Sequence, residues 1–227
     1  MFLDFLSLIY PDCCLTCEAA LVKQEELLCT ACLHQLPRTY YHKDQENALA
    51  QRFWGKVQLR WAMAYLKYTK SGKVQKLLHA LKYQGEQAIS YRMGKLYGQE
   101  LLASGFAQSF DLILPVPLHK KKLKKRRYNQ VDGFAKALAE CMACAWISNG
   151  LVRTQYNTSQ TNKGRMNRWK NVQGLFQVGD KADVQGKRVL VVDDVVTTGA
   201  TLEACVEAVL ALQPASVSVA AIASAEF

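Results

Sequence analysis

The segment 189–201 constrains the fold of this chain more than any other stretch. It reads VLVVDDVVTTGAT: four aliphatic residues, two adjacent acids, and a run of small hydroxylated residues around one glycine. Four consecutive aliphatic residues are typical of a strand that is buried on both faces, as in the middle of a parallel sheet. The run that follows predicts a tight turn and a helix that opens at Leu202. The segment therefore predicts an α/β domain with a ligand site at the carboxyl end of this strand.

The turn itself has the composition of a phosphate-binding turn. Small residues let backbone N–H groups close around an anion, and the N-terminus of the next helix adds the positive end of its dipole. Asp193 and Asp194 would repel a phosphate and instead suit ribose hydroxyls, a magnesium ion, or both. Together these residues predict a phosphorylated sugar; an ordinary buried strand with a capped helix is the alternative. The residues predicted to hold the phosphate are Val195, Val196, Thr197, Thr198, Gly199, Ala200 and Thr201.

Two Cys-x2-Cys pairs near the N-terminus predict a metal site. They are Cys14 with Cys17 and Cys29 with Cys32. Two such pairs complete a tetrahedral thiolate site for zinc, which can hold a segment too small to build its own core. Cys13 is a competing ligand, although the two-residue spacing to Cys17 favours Cys14. A set of reduced structural cysteines is the alternative.

Composition limits the partners and the compartment. The 227 residues include 29 Lys and Arg against 19 Asp and Glu, for a net charge of +10. A basic balance favours polyanionic partners such as nucleotides or nucleic acid, although it also serves solubility. The apolar N-terminus has no basic flank or cleavage site, and no apolar run is long enough to span a bilayer. We therefore expect a cytoplasmic protein with reduced cysteines.

Strand and helix patterns alternate along the rest of the chain. Strands are expected at 60–69, 111–116, 151–153, 174–178, 187–193 and 216–223. Helices are expected at 1–8, from a Ser71 cap to Gly85, and at 87–103, 132–147 and 201–212. This alternation predicts a mostly parallel sheet with helices on both faces. Three regions are expected: a zinc module at 1–37, a polar linker at 38–59, and the α/β domain at 60–227.

Three further stretches accompany the motif at 189–201, which resembles the phosphoribosyl pyrophosphate (PRPP) signature of type I phosphoribosyltransferases. One is the cysteine module; the second is residues 115–130, PVPLHKKKLKKRRYNQ; the third is the polar stretch 160–176. Together they resemble the ComF family, phosphoribosyltransferase-like proteins tied to DNA uptake in natural transformation. This chain departs from the family's Arg-Gly-Phe-Asn-Gln at Arg127 and Tyr128, and from a frequent proline at Lys120.

The resemblance implies a type I phosphoribosyltransferase-like fold, PRPP as ligand with Mg²⁺, and a set of site residues. Asp193 and Asp194 would hold the ribose and Mg²⁺. A cationic segment and a lid at 154–171 would face the pyrophosphate. The cationic residues are Lys120, Lys121 and Arg126, and the lid residues are Gln160, Arg165, Arg168 and Asn171. His119 is the histidine nearest this site, although a surface position is the more common fate.

Two functions compete at this stage. One is a binding protein for PRPP and single-stranded DNA in DNA uptake, with DNA-uptake or helicase proteins as further partners. The other is a phosphoribosyltransferase of the pentosyl class that acts on an unknown acceptor. The residues expected to contact DNA phosphates are Lys121, Lys122, Lys124 and Lys125. The aromatic residues considered for base stacking are Phe53, Trp54, Trp61 and Tyr65, although packing in a half-buried strand is the more common role for such residues. Lys82 and Tyr83, at the end of a predicted helix, are expected on a solvated face.

Overall fold

The computed structural model describes residues 11–84, 87–154 and 174–225. The predicted N-terminal helix, the break at Gly85 and the lid residues Gln160, Arg165, Arg168 and Asn171 lie outside these ranges. The helices are α1 (Thr30–His34), α2 (Lys73–His79), α3 (Gln87–Ala103), α4 (Lys120–Arg126), α5 (Asp132–Met142) and α6 (Ala200–Leu210). The strands are β1 (Ala62–Tyr68), β2 (Leu112–Pro115), β3 (Ala145–Trp146), β4 (Leu151–Arg153), β5 (Phe176–Val178), β6 (Arg188–Val196) and β7 (Ser216–Ala225).

Five strands form a parallel sheet in the order β1-β7-β6-β2-β3, and β4 and β5 form a separate antiparallel pair. Strand β6 lies in the middle, where Val191 is in register with Val219 of β7 and Leu114 of β2. Successive residues of a strand point to opposite faces, so an all-aliphatic strand needs cover on both sides. This arrangement confirms the predicted mostly parallel sheet with flanking helices.

The two faces of the sheet carry two separate cores. Leu190 and Val192 pack into one core with α2, α3 and α5, whereas Val189 and Val191 pack into the other with α6. The second core also contains Leu49 and Phe53, which belong to the segment predicted as a linker. The aliphatic run of β6 is therefore buried from both sides.

The segment 38–59 packs against the domain despite its polar composition. It contains two short 3-10 helices, Tyr41–Lys43 and Ala50–Phe53, and the side chain of Leu49 is fully buried. Its start runs along the edge strand β1, where the N–H of Thr39 donates to the carbonyl of Tyr65 at 3.0 Å. The segment thus covers the free edge of β1, which would otherwise expose unpaired backbone groups.

Two local expectations were wrong. The predicted helix at 132–147 ends at Met142, because Ala143 adopts a left-handed conformation at φ 51°, and a two-residue strand, β3, follows. Helix α2 begins at Lys73 after Gly72, and Ser71 does not cap it. Ser71 has a φ of 60°, so the chain turns sharply before the helix starts. No helix within the described ranges is long and apolar enough to cross a membrane.

Candidate functional site: an acid pair and a helix N-terminus

The acid pair lies near the carboxyl end of β6, where ligands bind in open α/β sheets. One oxygen of each carboxylate is held by the backbone. The Asp193 Oδ1 accepts from the N–H of Asp194 at 2.8 Å, and the Asp194 Oδ1 accepts from the N–H of Val195 at 2.7 Å. These contacts fix both side chains in place, which a site for a polyol or a cation requires.

Burial raises the pKa of Asp193, and the neighbouring charge of Asp194 raises it further, to about 7. The ammonium of Lys82 acts in the opposite direction. Two carboxylates this close repel each other in a poorly solvated place, so a positive charge beside them is stabilising. The pair is therefore suited to bind a cation or hydroxyl donors.

Lys82 supplies a positive charge to this pair. Its Nζ lies 2.8 Å from the Asp194 Oδ2, and the two side chains are 26% and 17% exposed. The expectation of a solvated face was therefore wrong for Lys82, whereas Tyr83 is 64% exposed. A lysine at the end of an amphipathic helix carries no local signal for such a contact, because its partner is distant in sequence.

The turn after β6 brings backbone N–H groups to the N-terminus of α6. Gly199 precedes α6 with a φ of 85°, and a Cβ at this position would lie 3.1 Å from the ring of Phe53. Both the conformation and the close approach therefore call for glycine. The side chains of Thr197, Thr198, Ala200 and Thr201 are exposed around this turn. Val195 and Val196 lie in β6 instead, and the Val196 side chain is buried.

Arg52 and Phe53 support this turn from the segment predicted as a linker. The Arg52 guanidinium donates to the carbonyl of Thr197 at 2.6 Å and to the carbonyl of Ala225 at 2.5 Å. It thereby ties the turn to the end of β7. Sequence reasoning did not include Arg52 in the site, and it considered Phe53 for base stacking rather than as a support of the turn. The spacing of the apolar residues Leu49, Ala50 and Phe53 was the available signal for the burial of Phe53.

The cationic segment follows β2, the neighbour of β6. Pro115 is in register with Val192, so the segment and the acid pair lie at the same edge of the sheet. Residues 120–126, including Lys120, Lys122 and Lys125, form the short helix α4, which begins after His119. The His119 Nδ1 accepts from the N–H of Lys121 at 3.2 Å. Lys121 and Lys124 are exposed.

Helix α4 ends at a position where an arginine strains the backbone and a glycine would not. Arg127 has a φ of 63°, a conformation that glycine adopts without strain. Arg126 donates to the Gln130 Oε1 at 2.9 Å and lies over the ring of Tyr83 at 5.4 Å. The Asn129 amide donates to the carbonyl of Val116 at 3.0 Å, and the Tyr128 hydroxyl donates to the carbonyl of Leu81. These contacts join the cationic segment to the end of β2 and to the end of α2.

The four cysteines form a separate centre. The Sγ atoms of Cys14, Cys17, Cys29 and Cys32 all lie within 4.8 Å of one another, and those of Cys17 and Cys29 are 3.7 Å apart. Zn–S bonds of about 2.3 Å in a tetrahedron place sulfur atoms about 3.8 Å apart, so these residues could hold a zinc ion. Cys13 lies outside the cluster, where its thiol donates to the carbonyl of Pro11. The geometry therefore selects Cys14 over Cys13.

Comparison with known families agrees with this geometry. Residues 102–226, more than half of the chain, match the model of the phosphoribosyl transferase domain. Solved structures with a similar fold include a glutamine PRPP amidotransferase from B. subtilis, at 21% identity over 59% of this chain and 26% of that chain, with a TM-score of 0.42. Another is a hypoxanthine-guanine phosphoribosyl transferase from L. donovani, at 17% identity over 60% of this chain and 65% of that chain, with a TM-score of 0.35.

Curated relatives add a second similarity. DNA utilization protein YhgH of Salmonella typhimurium is 32% identical over 63% of this chain and 63% of its own length, less than two thirds of that protein. The YhgH protein of Escherichia coli K12 is 26% identical over 94% of this chain and 91% of its own length. Competence protein F of Haemophilus influenzae is 31% identical over 40% of this chain and 41% of its own length. These relatives confirm the resemblance to the ComF family, and the family match and the parallel sheet confirm the predicted fold class.

Proposed function

Because this chain belongs to the phosphoribosyl transferase domain family, we propose that it binds PRPP with Mg²⁺ at the edge of the sheet formed by β6 and β2. The observation that carries the proposal is the acid pair fixed directly before a turn at a helix N-terminus. Backbone N–H groups of that turn suit the 5′-phosphate, and carboxylate oxygens suit the ribose hydroxyls and a hard cation.

Each part of the proposed site has a separate task. The turn 197–201 binds the 5′-phosphate, while Asp193 and Asp194 orient the ribose and provide oxygen ligands for Mg²⁺. The ion, when bound, neutralises charge on the diphosphate. Lys120, Lys121 and Arg126 lie on the segment that follows β2 and are the candidates to face the diphosphate, together with Arg165 and Arg168 of the proposed lid. Arg126 already contacts Gln130 and Tyr83, so it is held in position for this role.

Calorimetry with PRPP tests this proposal. Wild-type protein should bind PRPP in the presence of Mg²⁺ and bind it more weakly in EDTA. Asp194→Ala should abolish the Mg²⁺-dependent part, because it removes a fixed carboxylate. Asp180→Ala, which removes an exposed carboxylate from the turn after β5, is the matched control and should bind as wild type does. Unchanged PRPP affinity in Asp194→Ala would show that the site is wrongly assigned.

We also propose that the chain binds single-stranded DNA and acts in DNA uptake. The names of its relatives, the net charge of +10 and the exposed Lys121 and Lys124 of α4 support this. Lys122 and Lys125 belong to the same helix. The aromatic residues divide between packing and exposure. Phe53 and Tyr65 are each only 1% exposed and cannot stack on bases, whereas Trp54 is 59% exposed.

The dependence of DNA binding on salt tests this second proposal. Each phosphate contact on a single strand contributes a log–log slope of about −0.7, so Lys121→Ala with Lys124→Ala should flatten the slope by roughly 1.4. The matched control is Lys43→Ala with Lys181→Ala, two exposed lysines outside α4. Fluorescence anisotropy of a labelled oligonucleotide across a salt series measures both slopes. If the two double variants have equal slopes, α4 is not the DNA contact.

Transfer of the phosphoribosyl group to an acceptor is the alternative function. The same geometry would serve it, since such a transfer depends on positioning and on cations at the leaving diphosphate. The two functions differ in one measurable product. Phosphorus NMR of the protein with PRPP, Mg²⁺ and candidate nucleobases would show pyrophosphate only if transfer or hydrolysis occurs.

A further inference from the structure

Lys82 reaches the acid pair from an unusual piece of backbone. Residues Ala80–Gln84 form a π-helical segment that continues α2, and Lys82 lies within it. Such segments are rare and frequently occur at functional sites. The wider turn brings Lys82 to the carboxyl edge of the sheet, where its ammonium meets Asp194.

The position of this segment is set by the cationic segment after β2. The Tyr128 hydroxyl donates to the carbonyl of Leu81, the residue before Lys82. The Arg126 guanidinium lies over the ring of Tyr83, the residue after it. Lys82 is thus held between two contacts that both come from the side of the site proposed to face the diphosphate.

The contact with Lys82 completes the hydrogen bonding of Asp194. Its Oδ1 accepts from the backbone of Val195, and its Oδ2 faces the ammonium of Lys82 at 2.8 Å. A cation that approaches the Oδ2 therefore competes with an ammonium already present. An ammonium carries three donors and is a flexible point charge, so it can move from a carboxylate to a nearby phosphate oxygen.

We propose that Lys82 is a ligand-binding residue of the phosphoribosyl site: in the free protein its ammonium contacts the Asp194 Oδ2, and in the complex it would donate to the diphosphate of PRPP, which would leave the Asp194 carboxylate available to hold the metal. The inference rests on the proposed function and deepens it. It assigns a residue outside both the 189–201 motif and the lysine-rich helix to the binding of the leaving group. It also makes the affinity of the acid pair for a divalent cation depend on PRPP.

Two binding measurements on Lys82→Met test the inference, with Lys82→Arg as the charge-conserving variant and Lys181→Met as the matched control. The first measures Mn²⁺ alone by electron paramagnetic resonance. Loss of the competing ammonium should tighten Mn²⁺ binding by roughly tenfold in Lys82→Met. Lys82→Arg and Lys181→Met should bind Mn²⁺ about as wild type does.

The second measurement is PRPP affinity by calorimetry at saturating Mg²⁺. Loss of one charge-assisted hydrogen bond should weaken PRPP binding by roughly tenfold in Lys82→Met, with partial rescue in Lys82→Arg. Equal PRPP affinity in Lys82→Met and wild type would overturn the inference. If wild-type protein itself fails to bind PRPP, the proposed function falls. The proposed contact of Lys82 with the diphosphate then falls with it. Tighter Mn²⁺ binding in Lys82→Met would in that case support only the competition between Lys82 and a metal ion at Asp194.

The fold of the variants needs its own measurement. Lys82→Met could lower stability because it leaves Asp194 without its cation, so thermal unfolding of each variant should accompany the titrations. The double variant Asp194→Asn with Lys82→Met removes both charges, so no carboxylate is left without its cation. A folded double variant that binds Mn²⁺ no more tightly than wild type shows that the gain in Lys82→Met acts through Asp194, and a gain that survives in the double variant contradicts the inference.

Discussion

The cysteine module and the parallel sheet are stabilised by different means. Within residues 11–36, the regular structure is the five-residue helix α1 and two isolated bridges, and the buried apolar side chains are Cys14, Leu28, Cys32 and Leu36. In contrast, nine of the ten residues of β7 are buried. A segment with so little buried surface cannot offset its chain entropy by burial, whereas the central strands can. We therefore expect the module to depend on its four sulfur atoms.

The module is nevertheless docked on the larger domain. Its buried side chains belong to the same core as α2 and α3, and the Lys76 ammonium donates to the carbonyl of Thr16 at 2.9 Å. Loss of the metal should therefore loosen the module while the sheet keeps its own core on both faces. Three measurements, in order of expected effect, test this difference.

Removal of one sulfur should have the largest effect. Structural zinc contributes apparent binding energies of about 10–16 kcal/mol, so Cys29→Ser should release the metal and expose the amides of residues 11–36 to exchange. The amides of β6 and β7 should remain protected, which hydrogen exchange measures alongside metal analysis. Cys13→Ser is the control and should retain one zinc per chain, because its sulfur lies outside the cluster. Freshly prepared, unchelated wild-type protein without zinc would refute the assignment.

A cavity made under the turn 197–201 should have the next largest effect on stability and should leave the cysteine module intact. The Phe53 ring is 1% exposed and packs against Gly199, so Phe53→Ala should cost about 3–5 kcal/mol of unfolding free energy. Zinc content should not change. Trp54→Ala, at a neighbour that is 59% exposed, should cost less than about 0.5 kcal/mol. Urea unfolding of both variants gives the difference, and equal costs would mean that the segment 38–59 does not support the sheet.

Removal of a surface charge at the other end of the sheet should have the smallest effect on stability. Asp111 precedes β2, and hydrogen bonds from the side chain and backbone of Arg188 lower the pKa of its carboxyl to about 2. This folded pKa lies below the unfolded value of about 3.9, so the stabilisation is present above pH 4 and is lost as the pH falls toward 2. Because the pair is exposed, Asp111→Asn should cost at most about 1 kcal/mol at pH 7.

Acid also protonates the thiolates of the module, so the pH dependence must be compared between two proteins. Release of zinc at low pH affects wild type and Asp111→Asn alike and cancels in their difference. That difference in unfolding free energy should shrink progressively as the pH falls from 4 through 2, because half of the folded-state carboxyl is still ionised at its pKa of about 2. A difference that stays constant across this range would show that the Asp111 charge does not stabilise the sheet.

The features that the sequence predicted well are local ones. The helix expected at 87–103 is α3, Gln87–Ala103, and the aliphatic run predicted the central strand and the turn that follows it. The Cys-x2-Cys spacing selected Cys14 over Cys13, and the geometry of the cluster agrees. In each case the signal lies within a few residues, because helix periodicity, strand hydrophobicity and metal-ligand spacing are properties of a short segment.

Two segments show where local patterns fail. The segment 38–59 is polar enough to resemble a linker, yet Leu49 and Phe53 are fully buried because the domain offers them a face of β1 and of α6. The helix predicted to reach residue 147 ends at Met142, where the chain turns to add β3 beside β2. Pairing with a preformed sheet outweighs helix propensity over those last residues.

The sequence by itself determined the strand, acid pair and turn of 189–201 and the two cysteine pairs, because those residues are adjacent and their chemistry needs only local geometry. The distant residues that complete the site come together only through the packing of the whole domain. Arg52 meets Thr197 across 145 positions of the chain, and Lys82 meets Asp194 from the end of another helix. Such contacts depend on how the strands are ordered and how the helices pack, and no short-range periodicity encodes that order.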